Sequence, residues 1–302
     1  MTRHLLTILD LSREEIVTLL ARARELKALH KEQRDPASLK GKTVAMIFDK
    51  PSTRTRVSFE AGIAQLGGSS IYLAPGQTQM SRNEPEADTA RVLSRYVDGV
   101  VVRTFAQETV EELARHATIP VVNGLTDTHH PCQVLSDLMT MQERFGDLTG
   151  LKVAWVGDGN NMANSWITAA MHLDFPLYLA CPAGYAPDAA LLAQAKKEGA
   201  RVYLGQDPKE AVAGALVINT DVWASMGQED EAAERQKFFE PYQVNANLLK
   251  LAAPEAIVLH CLPAHRGEEI TAEVLDGPQS AAWDQAENRM HFQKALLEWL
   301  LG

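Results

Sequence analysis

The chain is short of several things, and each shortage argues against a class of protein. Its 302 residues include only three cysteines, Cys132, Cys181 and Cys261. Three thiols cannot all pair within one chain, and these match no zinc-ligand spacing, so free thiols in a reducing cytoplasm are expected. Basic residues are outnumbered, 29 Lys and Arg against 39 Asp and Glu, for a formal net charge of −10. A general binder of nucleic acid or of anionic membrane needs a broad basic surface, so any anion site here has to be local. No apolar run is long enough to span a bilayer. The first residues pass into an amphipathic, charged segment, Ser12 to Gln33, with no signal-peptide core. Internal repeats and low-complexity tracts are also missing.

What remains has an ordinary composition, 46% hydrophobic and 23% charged, in a chain longer than one hydrophobic core usually supports, so two domains are expected. Strand-like and helix-like segments alternate throughout, the pattern of parallel sheets with crossover helices. The first half offers strands at Thr43–Phe48, Ser70–Leu73, Gly99–Arg103 and Pro120–Val122. The second restarts at Leu151–Val156 and continues with Leu177–Ala180, Arg201–Leu204, Leu216–Asn219 and Ile257–Leu259. The expected fold class is therefore α/β, with two similar-sized domains, each a parallel sheet flanked by helices and joined by interdomain helices. One connector begins at Pro131, which suits a first helical turn, and its apolar face runs from Val134 to Phe145. A stiff connector would let the domains hinge around a shared cleft. Glu287 to Leu301 forms another amphipathic helix, expected to return to the first domain. Asp221 to Tyr242 is the least regular stretch, expected to be a functional or mobile loop.

Candidate chemistry lies beyond the carboxyl ends of the predicted strands, where parallel α/β sheets bind ligands. Asp49 to Glu60 follows the first strand and places Ser52, Thr53, Arg54, Thr55 and Arg56 at the mouth of a helix whose apolar pattern is Val57, Phe59, Ile63 and Leu66. Free N–H groups, the positive end of the helix dipole and two guanidinium forks suit phosphate oxygens. A serine cap followed by solvated arginines accounts for one Ser and one Arg, but S-T-R-T-R at a strand end favours phosphate. Arg103-Thr104 ends another strand, where Arg103 is equally compatible with a surface arginine. His129-His130-Pro131-Cys132-Gln133 enters the connector helix, with His130 open to a role as cap, packed ring or donor.

In the second half, Gly157-Asp158-Gly159-Asn160-Asn161 fits a dinucleotide fingerprint poorly, because Met162 stands at the third glycine position. The turn still brings the amides of Asn160, Asn161 and Asn164 to a helix mouth, where they suit a carboxylate. Asp221, straight after a strand, is either a helix cap or an anchor for an ammonium group. Cys261 ends the last strand as an inert small hydrophobe or a working thiol.

S-T-R-T-R, V-V-R-T, H-P-C-Q, D-G-N-N, D-V-W-x-S-M-G and H-C-L-P stand in this order along essentially the whole chain. On these motifs it resembles the aspartate/ornithine carbamoyltransferase family, and within it the ornithine-using branch. The aspartate-using relatives lack D-V-W-x-S-M-G and the cysteine. The resemblance implies a carbamoyl-phosphate-binding domain, 1–134 plus 286–302, and an ornithine-binding domain, 135–285. Ser52, Thr53, Arg54, Thr55 and Arg103 would hold the phosphate. His130 and Gln133, at the Pro131-Cys132 turn, would bind the carbamoyl carbonyl, and the main chain at Cys261 and Leu262 would accept from the carbamoyl amino group. Arg289, at the start of the last helix, would close over that ligand, and Gln79 would come from a neighbouring subunit of a homotrimer. Asn164, Asp221, Ser225 and Met226 would bind ornithine. Arg54, Arg103, His130, Asp221 and Cys261 would carry catalysis.

The resemblance implies neither metal nor cofactor, a cis Leu262-Pro263 bond, a cytoplasmic enzyme of arginine biosynthesis, and carbamoyl phosphate and L-ornithine as its small-molecule partners. One loop departs from the family: Ser81-Arg82-Asn83-Glu84-Pro85-Glu86 stands where G-R-G-E-P-I is usual. The rivals are a carbamoyltransferase for N-acetylornithine, putrescine or another amine, a dinucleotide-dependent dehydrogenase, and a non-catalytic binding protein on the same fold.

Overall fold

The computed structural model describes residues 2–224 and 231–302. The chain divides into two compact units, Met1–Met139 with Glu287–Gly302, and Thr140–Ala286.

Unit 1 opens with helix α1, Arg13–Lys31, started by a reciprocal cap between Ser12 and Glu15. Strand β1 (Thr43–Phe48), helix α2 (Thr53–Gln65), β2 (Ser69–Leu73), α3 (Glu86–Leu93), β3 (Gly99–Arg103), α4 (Gln107–His116), β4 (Val121–Leu125) and α5 (Pro131–Phe145) follow. All strands are parallel, in the order β2-β1-β3-β4. The central β3 is buried along its whole length, as a strand covered on both faces must be, whereas the edge strand β2 is partly open. Ala45, Ile47, Val100 and Val102 pack with Val110 and Leu113 of α4 to form one layer of the core.

Unit 2 continues with β5 (Val153–Val156), α6 (Asn161–His172), β6 (Leu177–Ala180), α7 (Ala189–Lys197), β7 (Val202–Gly205), α8 (Pro208–Val212), β8 (Val217–Thr220), α9 (Ala232–Phe239), α10 (Ala246–Leu249), β9 (Ile257–His260) and α11 (Ala272–Leu275); α12 (Ala282–Leu301) begins there and from Glu287 onward belongs to unit 1. Its parallel sheet runs β7-β6-β5-β8-β9. Val156, Ile218 and Val258 meet Val244, Ile270 and Leu275 in its core.

Both strand orders reverse direction once, between β1 and β3 in unit 1 and between β5 and β8 in unit 2. At such a point the connecting segments leave to opposite sides and open a crevice at the carboxyl edge. The α/β class and the parallel sheets are as expected, and each strand lies within two residues of its predicted bounds at its start and three at its end. Three expectations need correction. Asp221 to Tyr242 is not irregular throughout, since Ala232–Phe239 is helical. Helix α12 starts at Ala282, so Arg289 lies two turns inside it rather than at its start. Val57 is 55% exposed while Phe59, Ile63 and Leu66 are buried; two residues from Phe59, it points to the opposite side of the helix. No helix among the described residues is long and apolar enough to cross a membrane.

Candidate active site

The first cluster occupies the reversal point of unit 1. Ser52 is the N-cap of α2, its Oγ accepting from the Thr55 N–H at 3.2 Å. The N–H groups of Thr53 and Arg54, in the same first turn, have no intrahelical acceptor. Arg103 ends β3 beside a register shift: Val102 pairs with Asn123 of β4 and Arg103 with Leu125, so Gly124 is the extra residue. Its Nη1 donates to Thr55 Oγ1 at 3.3 Å. Arg289 donates to the same hydroxyl through Nη2, and to Gln133 Oε1 through Nη1 at 2.8 Å. Gln133 is held in turn by Asp137, to whose Oδ1 its amide donates at 2.8 Å. Two buried guanidinium groups thus converge on one threonine at a helix N-terminus. Arg54 is half-buried and forms no hydrogen bond or ion pair with any described residue.

His130 is buried beside these cations. Desolvation, then the charges of Arg289 and Arg103, hold its pKa well below the usual imidazole value, so it is neutral at physiological pH. Pro131 opens α5. Cys132 turns its thiol into the core, 3.5 Å from the Asn123 carbonyl, and burial pushes its pKa up to about 12; its main chain is what a ligand can use. Thr53 is exposed. Arg56 lies elsewhere: it pairs with Glu60 at 3.1 Å and stacks over Tyr72. Gln79 is exposed on the short 3₁₀ turn Gln79–Arg82, and no described hydrogen bond of its side chain links it to the cluster. The same turn ends at Asn83, whose φ of +67° is a left-handed conformation that glycine, then asparagine, tolerates best.

The second cluster occupies the reversal point of unit 2. Asn160 caps α6, its Oδ1 accepting from the Met162 and Ala163 N–H groups, and its Nδ2 donates to Asp221 Oδ2 at 2.9 Å. Asp221 Oδ1 accepts from the Val222 N–H at 2.8 Å and from the Cys261 thiol at 3.0 Å. Asn164, one turn into α6, accepts from the Asp188 N–H at 3.1 Å. Cys261 is half-exposed, and the next peptide bond, Leu262-Pro263, is cis. Leu262 has φ +59°, a backbone state a leucine keeps only where its surroundings hold it. Here His260 Nδ1 accepts from the Leu262 N–H at 2.9 Å, while Nε2 faces Glu269 Oε1 at 3.0 Å. With Nδ1 accepting, it is the Nε2 side of the ring that faces Glu269. Asp221, His260 and Cys261 place possible ligand atoms within 4.8 Å of one another. Both His260 nitrogens are already engaged, so the group works as a hydrogen-bonded assembly rather than a ready metal cage. Ser225 and Met226 lie outside the described residues.

Sequence reasoning left two contacts of this cluster unread. One is the partner of Asn160, whose amide was expected to suit a carboxylate but not that of Asp221. The other is Arg235, buried on α9, which donates to Asp158 Oδ2 and to the Trp223 carbonyl, each at 3.0 Å. Burial raises Asp158 to about 6 against the opposing pull of Arg235. Nothing in the sequence flags Arg235, whose partner Asp158 is 77 residues away. Asn160 had a local signal, as a cap immediately before a helix.

Comparison with known proteins identifies the family. The family model for the carbamoyl-P binding domain of aspartate/ornithine carbamoyltransferase matches residues 3–143, and that for the Asp/Orn binding domain matches 149–300. An ornithine carbamoyltransferase of Desulfotalea psychrophila is 60% identical over 303 residues, covering 100% of each chain. The anabolic ornithine carbamoyltransferase of Pseudomonas aeruginosa is 56% identical, with 99% of this chain and 97% of that one covered. The solved structure of ornithine carbamoyltransferase from Pyrococcus furiosus superposes with a TM-score of 0.95 at 51% identity, over 99% of this chain and 97% of that one. Fold, motif order and full-length identity together place the chain in the aspartate/ornithine carbamoyltransferase family.

Proposed function

We propose that the chain transfers the carbamoyl group of carbamoyl phosphate to the δ-amine of L-ornithine, giving L-citrulline and phosphate. The observation that carries the reading is the convergence of Arg103 and Arg289 on Thr55 in the Ser52-capped first turn of α2. Ser52, Thr53, Arg54, Thr55 and Arg103 bind the phosphate, and Arg289 and Gln133 close the carbamoyl end with His130. As the amine nitrogen bonds to the carbonyl carbon, the oxygen becomes an oxyanion, which Thr55, Arg103 and His130 stabilise by donation. The carbon–oxygen bond to phosphate then breaks, and the leaving dianion stays matched by Arg54 and the helix N-terminus.

The amine must attack as a neutral base. By analogy with a lysine side chain, about one in a thousand such amines is neutral near pH 7. Asp221 and Cys261 orient it, and one of them takes its proton. Asn164, Ser225 and Met226 hold the rest of ornithine, and the main chain at Cys261 and Leu262 accepts from the carbamoyl amino group. The residues of unit 1 with α12 serve carbamoyl phosphate, and those of unit 2 serve ornithine. Carbamoyl phosphate binds first; tight ornithine binding to ligand-free protein in calorimetry would contradict that order. The enzyme works as a cytoplasmic homotrimer in which Gln79 serves a neighbour's site. The relatives named anabolic, from Pseudomonas aeruginosa and Campylobacter jejuni, favour the biosynthetic direction.

The test is product formation from carbamoyl phosphate with ornithine, N-acetylornithine, putrescine and aspartate in parallel. Turnover confined to ornithine bears the reading out. Turnover with another amine keeps the phosphate chemistry and overturns the acceptor, and no transfer by folded protein overturns both.

A further inference from the structure

A polar cluster gathered around one buried lysine in unit 1 has no part in the chemistry described so far. Lys294, on α12, is fully buried, and its ammonium donates to Asp35 Oδ1 at 2.5 Å and to Gln65 Oε1 at 2.9 Å. Gln65 ends α2, and its amide also reaches the Met290 sulfur at 3.6 Å. One carboxamide therefore grips α12 at two points, Met290 and Lys294. Asp35 in turn meets His30 Nδ1 at 2.6 Å. Burial opposes the Asp35 charge, but hydrogen bonds from Lys294 and His30 outweigh it and keep the carboxyl below its ordinary range.

The backbone geometry is equally close. Gly62 lies in the interior of α2, where glycine is unfavourable by roughly 1 kcal/mol relative to alanine. A Cβ added there would stand 3.1 Å from Lys294 Cγ and 3.7 Å from the Met290 carbonyl oxygen. Thr55 and Gly62 are two turns apart on α2, with Gln65 one turn further, so one face runs from the anion loop to the Lys294 anchor. Arg289, next to Met290, reaches Thr55 at the other end of that face. On its other flank α12 is held by α1, with Lys27 donating to Asn288 at 2.6 Å and Arg22 to Glu298 at 2.5 and 2.9 Å.

We propose that Lys294, through Gln65 and Asp35, is a positioning residue for the anion site: it fixes how α12 sits on α2, so that Arg289 meets Thr55 and Gln133. This rests on the assignment of Arg289 to carbamoyl phosphate above. Arg289 reaches Gln133 and Thr55 with two different nitrogens, so a shift of α12 on α2 changes both contacts together, and orientation is what gives a guanidinium fork its grip on an oxyanion.

The experiment is a double-mutant cycle between Lys294→Met and Arg289→Gln, reading KM for carbamoyl phosphate, inhibition by inorganic phosphate, KM for ornithine and the thermal midpoint. Lys294→Met is expected to raise KM for carbamoyl phosphate and weaken phosphate inhibition about tenfold, leaving KM for ornithine within about twofold. Added to Arg289→Gln it should cost less than about twofold more, because the group it positions has gone. A carbamoyl-phosphate KM unchanged in Lys294→Met, or a full additive loss in the double mutant, overturns the proposal. Arg289→Gln with normal affinity overturns the assignment of Arg289 as well, so the two failures are distinguishable. If Lys294→Met does not fold, Gly62→Ala carries the same test. It crowds Lys294 without removing a charge and favours the helix, so a raised carbamoyl-phosphate KM without a lowered midpoint supports positioning over mere stability. An unchanged KM in that variant overturns the proposal.

Discussion

The two clusters solve opposite problems with opposite materials. Unit 1 gathers permanent charge: Arg54, Arg103 and Arg289 around a helix N-terminus, with His130 kept neutral by its surroundings. Unit 2 gathers groups that pass hydrogen bonds, with the carboxylate of Asp221 between the Asn160 amide and the Cys261 thiol. A dianionic ligand needs fixed positive charge, whereas an amine that must lose a proton needs neighbours that accept and pass hydrogen bonds. The comparison teaches that pH dependence of turnover should originate in unit 2 and in ornithine, and that tightness for phosphate should originate in unit 1.

The largest effect that would break this contrast is in unit 1. Arg54→Gly is expected to lower kcat/KM by about a thousandfold or more, as loss of a charge aimed at the reacting group does. Near-normal turnover would end the phosphate assignment. In unit 2, Cys261→Ala is expected to raise KM for ornithine about tenfold, the worth of one hydrogen bond to a charged group, and to shift the pH–rate profile. His130→Gln should lower the rate but leave that profile where it is, because the imidazole is already neutral; a titration lost with His130 would reverse the assignment of proton traffic.

Stability should separate the units in degree, because burial also depresses His172 in unit 2 but Asp158 there works against it. His130 and His291 in unit 1 have depressed pKa values, chiefly through burial, with His291 lowered to about 3. Below the unfolded value near 6.5 the unfolded chain takes up protons that the folded one refuses, so their contribution is complete above that pH and is lost as pH falls. Asp158 in unit 2 is raised to about 6, so between about 4 and 6 the folded state holds the extra proton and acid favours it. Hydrogen exchange at pH 7 and pH 5 should therefore show core amides weakening more in unit 1, and His291→Leu should reduce that loss by at most about 1.4 kcal/mol per pH unit. The smallest effect lies outside both clusters. Asn83→Gly should change stability by only a few tenths of a kcal/mol, and Asn83→Val should cost about 1–2 kcal/mol at that left-handed position, measured by urea unfolding.

Much of the fold was legible because its signals are local. Apolar runs of five or six residues at Thr43–Phe48 and Gly99–Arg103 have one reading in a parallel sheet, and Ser52 and Pro131 stand where helix starts require them. The motifs were legible as candidates because each follows a predicted strand, where parallel sheets bind ligands. Legibility failed where a side chain answers to something distant. Arg56 shares a motif with Arg54, yet Glu60 and Tyr72 claim it. The Asn160–Asp221 bond spans 61 residues and the Lys294–Gln65 bond 229, and no periodicity in the chain encodes either. Arg289 was expected at a helix start because the helix was expected from Glu287, whereas it begins at Ala282.

The uneven fate of the three cysteines supplies a chemical handle. Cys132 and Cys181 are buried and their thiols are pushed away from ionisation, while Cys261 is half-exposed and hydrogen-bonded to the Asp221 carboxylate. A maleimide or iodoacetamide at neutral pH should therefore label one sulfur per chain, and if the proposed acceptor site is right, saturating ornithine should slow that uptake.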